Sequence, residues 1–210
     1  MRARWSPVIV LVVFLADQLR AAELVLLLAI WRHGDRAPGQ LPYPNDQNSI
    51  DAWPRGWDQL TNLGMKRSYE LGTFLRSRYA GRLFSKQFDH KQVFIQSSDS
   101  ERAIESAQTV MAGLFPAEDN RVWNTSTGWQ PIPIHTNGYG REDPLLKPTS
   151  YDCPLYRHVR DSDVRRLAKK MDKRYGPLFD WLSVETKLNV SFMNVKKLAD
   201  VDIEASRSEP

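Results

Sequence analysis

The residues that most constrain this chain are Leu24 to Ile30, a continuous apolar run that ends abruptly in Arg32-His33-Gly34-Asp35-Arg36. A short apolar run without polar alternation reads as a strand buried on both faces, as in a parallel sheet covered by helices. After a Pro- and Asn-rich loop (38–54), Thr61 is placed to cap a helix that carries Leu71, Phe74 and Leu75 on one side and ends near Tyr79. Val93 to Gln96 repeats the pattern as a second short strand. Ser98 and Glu101 follow in capping-box spacing, then a helix with Ala103, Ala107, Val110, Met111 and Leu114 on one face. Gln130 to His135 supplies a third strand, which Pro131 and Pro133 limit to an edge or an irregular segment. Strands alternating with helices predict an α/β fold.

Beyond Pro154 the pattern turns helical, with Val164, Leu167, Ala168, Met171 and Tyr175 on one side and Lys169, Lys170, Lys173 and Arg174 as a solvated face. Pro177 is expected to break this helix and start a second, short one through Trp181. The polar tail from Asp200 to Pro210 reads as frayed or cut. At the other end Arg2 and Arg4, the apolar run Val8 to Ala16 and the small pair Ala21–Ala22 have the pattern of a signal peptide over residues 1–22. That run is too short to span a bilayer, and no other stretch reaches the length of a membrane helix, so no anchor is predicted. Sequons at Asn124 and Asn189 fit passage through the secretory pathway and mark both asparagines as glycosylation candidates. Cys153 is the only cysteine, so it is either a buried free thiol or the partner of a cysteine elsewhere. The net charge of +4 is spread along the chain without a basic tail or dense run, which argues against a nucleic-acid partner.

The chemistry concentrates where the first strand ends. Ligand sites in open parallel sheets lie beyond the carboxyl ends of the strands. The second strand delivers Ser97 to Arg102 to the same edge, with Arg102 in the first turn of its helix, so Arg32, Arg36, Arg102 and His33 are predicted to converge. An ordinary charged loop would tie Arg32 and Arg36 into surface ion pairs, with Asp35 the nearest partner. Gathering several cations at a strand end is costly without an anion, whereas guanidinium groups and a helix N-terminus together suit a phosphate. His33, His90, His135 and His158 show no zinc-like spacing.

The segment RHGDRAP (32–38) resembles the RHGxRxP signature of the histidine acid phosphatases, a branch of the phosphoglycerate-mutase-like superfamily. WPRGWDQLTNLGMKRSYELG (53–72), VFIQSSDSERAIESAQTVMAGLFP (93–116) and WQPIPIHT (129–136) are similar to the lysosomal and prostatic animal branch of that family. The resemblance implies a three-layer α/β sandwich, incomplete here, over residues 23–210, with a partial helical cap at about 137–200. It implies hydrolysis of phosphomonoesters through a phosphohistidine, with His33 as nucleophile and Arg32, Arg36 and Arg102 as phosphate ligands. No cofactor is implied. A secreted or lysosomal location and homodimerisation are.

The sequence also departs from the family. The relatives carry a downstream His-Asp pair whose Asp protonates the leaving group, and this chain has no His-Asp dipeptide. Cys153, in DCPLY, matches a family cysteine whose partner lies downstream, and Asn137-Gly138-Tyr139-Gly140 replaces a Val-Pro segment. These departures lead to the expectation that the chain is the front portion of a longer polypeptide. The alternative function is then a truncated isoform that binds phosphate groups, or a full-length partner, without turnover. A mutase or polyphosphate phosphatase of the same superfamily fits the flanking motifs less well.

Overall fold

A computed structural model describes residues 23–198. The expected signal peptide (1–22) and the polar tail from Asp200 lie outside the described residues. Three helices dominate: α1 (Asn62–Tyr79), α2 (Glu101–Leu114) and α3 (Pro154–Thr186), with 3-10 turns at Ile50–Ala52, Asp119–Arg121 and Pro148–Ser150.

Helix α1 begins as the sequence predicts. Thr61 sits in extended backbone as the N-cap and its hydroxyl accepts a hydrogen bond from the Gly64 N–H at 3.0 Å, satisfying one of the unpaired donors of the first turn. Helix α2 starts differently from expectation. Its N-cap is Ser100, which makes no side-chain cap bond, so Ser98 and Glu101 do not form a capping box. Glu101 instead accepts a hydrogen bond from Gln59 Nε2 at 2.7 Å, so a contact distant in sequence replaces the local one.

Among the described residues, α1 and α2 are the only helices that pack against one another. Their contact runs through glycine. A Cβ added at Gly72 would lie 2.1 Å from the Val110 carbonyl oxygen, and one at Gly113 would lie 2.3 Å from that of Tyr69. Close backbone approach therefore sets the distance between the helices. The predicted apolar face of α2 supplies most of the main core: Ala107, Val110, Met111 and Leu114 join Ile95 and Phe115, with Leu71, Leu75, Phe84 and Trp31 packed around them.

Among the described residues the predicted strands form no paired strands, only isolated bridges. Gln96 and His135 form a parallel bridge, closed by Ser97 N–H to His135 O at 2.8 Å and His135 N–H to Ile95 O at 3.0 Å. The Leu24–Ile30 run departs most from expectation. It makes no ladder bonds, and Val25 and Leu28 are 81% and 83% exposed where burial on both faces was expected. A strand buries both faces only where strands pair with it and helices cover it. Here the run instead forms one wall of a cleft of about 500 Å³, opposite Val93 to Ser98 and Leu75, Met111 and Leu114.

Helix α3 also corrects the sequence reading. It continues unbroken through Pro177, which removes one backbone donor but is itself exposed, as is Lys173 one turn before it. The far half of α3 is anchored by Phe179, which forms a second apolar cluster with Val190 and Leu198. Asn45 Nδ2 donates to the Glu185 carbonyl at 2.7 Å and ties the early loop to this end.

Candidate active site

Residues 35–37 pair with 59–61 in a short antiparallel contact. Thr61 N–H donates to Asp35 O at 3.0 Å and Ala37 N–H donates to Gln59 O at 2.8 Å, around the bridge between Arg36 and Leu60. Ala37 and Leu60 are buried at its centre. The Asp35 carboxylate accepts from the Thr61 hydroxyl at 2.8 Å, so this acid seats the segment on the α1 N-terminus and is not the partner of Arg36.

Gly34 closes the junction on the other side. A Cβ there would lie 2.6 Å from the Gly64 carbonyl oxygen, so only glycine lets this loop lie on α1. Its N–H donates to Ser106 Oγ at 2.9 Å, and the Ser106 hydroxyl donates to the Arg102 carbonyl at 2.6 Å. Ser106 is fully buried and joins the His33 loop to the first turns of α2. Sequence reasoning missed Ser106, because a serine within a helix gives no signal of a partner so far away along the chain.

His33 is half-buried, and its Nδ1 lies 2.7 Å from the Gly34 carbonyl oxygen. A carbonyl only accepts, so in the neutral ring Nδ1 carries the proton and Nε2 holds the free lone pair. Burial lowers the His33 pKa below its ordinary 6.5. The bond to Gly34 opposes this, and Arg32, Arg102 and Arg36 add to the lowering in that order. Each of the three arginines thus bears electrostatically on His33.

The arginines differ in setting. Arg32 is exposed and lines the end of the apolar cleft beside His33. Arg36 and Arg102 lie outside that cleft. Arg36 Nη1 donates to the Ala37 carbonyl at 2.7 Å and lies 3.5 Å from one Asp58 carboxylate oxygen, while Arg102 Nη1 lies 2.5 Å from the other. The Nε–H of both guanidiniums is buried without an acceptor. Asp58 was not singled out from the sequence. The sequons lie away from this region: Asn189 is exposed and Asn124 is half-buried, its side-chain oxygen accepting from Ser126. Cys153 is half-buried at the start of α3 and makes no cap bond.

Residues 23–191 match the family model described as Histidine phosphatase superfamily (branch 2). The chain belongs to that superfamily. With membership comes the α/β class of fold, whose paired strands are represented among the described residues by isolated bridges such as the parallel one between Gln96 and His135. Among curated relatives of this branch, prostatic acid phosphatase of Bos taurus is 39% identical over 169 residues, covering 80% of this chain and 42% of its own length. Lysosomal acid phosphatase of Xenopus laevis is 39% identical over 172 residues, covering 81% of this chain and 39% of its own length. Among solved structures, the Hafnia alvei phytase in complex with myo-inositol hexakis sulphate overlaps with a TM-score of 0.49 at 18% identity, over 80% of this chain and 42% of that one. The chain thus spans about two fifths of the length of the curated relatives it matches. No helix among the described residues is long and apolar enough to cross a membrane.

Proposed function

We propose that this chain carries the nucleophilic half of an acid phosphatase site, with His33 as nucleophile and Arg32, Arg36 and Arg102 as phosphate ligands. The observation that carries the reading is the His33 ring itself, with Nδ1 committed to the Gly34 carbonyl, Nε2 free, and three guanidinium charges acting on it. In the first step Nε2 attacks phosphorus and the ester P–O bond breaks, releasing the alcohol oxygen and leaving a phosphohistidine. Water then attacks the phosphohistidine and releases inorganic phosphate and free His33. The arginines offset the charge on the transferring oxygens, and the lowered pKa keeps a larger fraction of the ring neutral in acid than a free histidine would have.

The leaving oxygen needs a proton unless it is a good leaving group. This chain has no His-Asp dipeptide to supply one. General acid catalysis typically contributes on the order of 100-fold to 10,000-fold, so turnover should fall steeply from aryl to alkyl phosphates. The second reading is a chain that captures phosphate groups, or a full-length partner, without turnover.

The remaining parts of the reading follow the family. They are a three-layer α/β sandwich over 23–210 with a partial helical cap at about 137–200, secretory targeting by residues 1–22, glycans on Asn124 and Asn189, a disulfide from Cys153 to a cysteine outside this chain, and homodimer formation. The secretory pathway, ending in secretion or the lysosome, is the matching location.

The test is hydrolysis of p-nitrophenyl phosphate at acid pH by the purified chain, with acid quenching to trap phosphoenzyme. Turnover with phosphate bound covalently to histidine is the expected result. A demonstrably folded chain that neither turns over nor traps phosphate would sink the enzymatic reading and leave the binding role.

A further inference from the structure

The anion that faces Arg36 and Arg102 in this structure is the chain's own Asp58. One carboxylate oxygen faces Arg36 at 3.5 Å and the other faces Arg102 at 2.5 Å. Its backbone has φ +63°, a left-handed conformation that a residue with a side chain adopts at a cost. The conformation is imposed from both sides. Asp58 N–H donates to the Pro38 carbonyl at 2.7 Å, Leu60 is fully buried, Gln59 holds Glu101, and Arg55 holds Glu105 at 2.7 Å. The loop from Arg55 to Leu60 is therefore fixed along the first turns of α2 and presents Asp58 to the arginine pair, while the Asp58 side chain stays 44% exposed and open to exchange with a ligand.

We infer that Asp58 is a built-in competitor that weakens phosphate binding at Arg36 and Arg102. The inference rests on the proposed reading of this arginine pair as a phosphate seat. The carboxylate reaches only one nitrogen of each guanidinium and leaves both Nε–H groups buried without an acceptor. A phosphate monoester brings three free oxygens and a higher charge to the same donors, and its tetrahedral spread allows bidentate contact with each fork. Asp58 is thus a weaker occupant that a phosphate displaces, and its displacement subtracts from the affinity. It also spares the chain two bare, half-buried cations close together. The consequence for specificity is a threshold: ligands with less charge or fewer oxygens than a phosphate do not displace it.

The experiment is titration of inorganic phosphate into the wild-type chain and into Asp58→Asn, Asp58→Gly and Arg102→Ala, at constant ionic strength, with the phosphate-dependent rise in unfolding temperature as a second readout. Asparagine tolerates the left-handed backbone and removes only the charge, while glycine also relieves the strain. Exposed ion pairs contribute little each, so releasing two predicts phosphate binding roughly twofold to thirtyfold tighter in both Asp58 variants, with a larger phosphate-dependent thermal shift. Equal or weaker binding in Asp58→Asn would overturn the inference and make Asp58 a residue that positions the arginines. Tightening in Asp58→Gly alone would overturn it too, assigning the effect to backbone relief. Loss of binding in Arg102→Ala with no change in Asp58→Asn defeats this inference and leaves the phosphate seat standing. Absence of phosphate binding in the wild type and in both Asp58 variants defeats the inference together with the proposed function.

Discussion

Replacing His33 by alanine is expected to bring p-nitrophenyl phosphate turnover down to the uncatalysed rate and to leave no acid-trapped phosphate, while phosphate still binds the arginines. The loss follows from covalent catalysis, because the P–N bond that divides hydrolysis into two steps forms on this ring. The pH dependence of trapping in the wild type has a definite sign. Attack needs the neutral ring, and the folded pKa is lowered below 6.5, first by burial and then by the arginines. The rate of phosphoenzyme formation should therefore rise with pH and reach half its maximum below 6.5. A half-rise at or above that value would show that burial and the arginines together do not lower the pKa of this ring. Stability carries the same sign. Because the folded state binds the proton more weakly than the unfolded chain, the His33 contribution is fully present above the unfolded pKa and is lost as pH falls through the depressed one.

Gly72→Ala is expected to destabilise the chain even though alanine is the better helix former. Helix propensity alone would favour alanine by about 1 kcal/mol in a helix interior. At Gly72, however, the added Cβ would lie 2.1 Å from the Val110 carbonyl oxygen and 2.9 Å from the Leu114 nitrogen. Those are backbone atoms of α2, so relief requires moving the helix and not a side chain. Overpacking of this kind costs roughly 1–3 kcal/mol or more, a large share of the 5–15 kcal/mol typical of a domain. Urea unfolding followed by circular dichroism would measure the sign directly. A variant as stable as wild type, or more so, would mean that the helices separate at little cost and that the glycine contact does not hold them.

Local signals in the sequence were reliable where their partners are close along the chain. Thr61 caps α1 because a cap needs only its own first turn, and the face of α2 from Ala107 to Leu114 is buried as its spacing predicts. Readings failed where the outcome depends on distant residues. Ser98 and Glu101 have capping-box spacing, but Gln59 takes the Glu101 carboxylate. Leu24 to Ile30 has the composition of a fully buried strand, yet burial depends on neighbours that composition cannot supply. Pro177 reads as a stop, but its exposed position lets the helix continue.

The site shows the same division. The sequence singles out His33, Arg32 and Arg36 in one motif and Arg102 in another, because clustered charges are visible in one dimension. The Gly34 carbonyl that selects the His33 tautomer, the Ser106 hydroxyl beneath it and the Asp58 carboxylate between the arginines were not visible. Each is a common residue type whose role comes only from what folding places beside it.

The two apolar clusters have no residue in common: one surrounds α2 beneath His33, and the other holds the far end of α3 through Phe179, Val190 and Leu198. Cooperativity in a folded chain is transmitted through shared packing, so a break between clusters is a boundary between units that open separately. The far end of α3 is therefore expected to open separately from the core around α2, which amide exchange divided along this line would show.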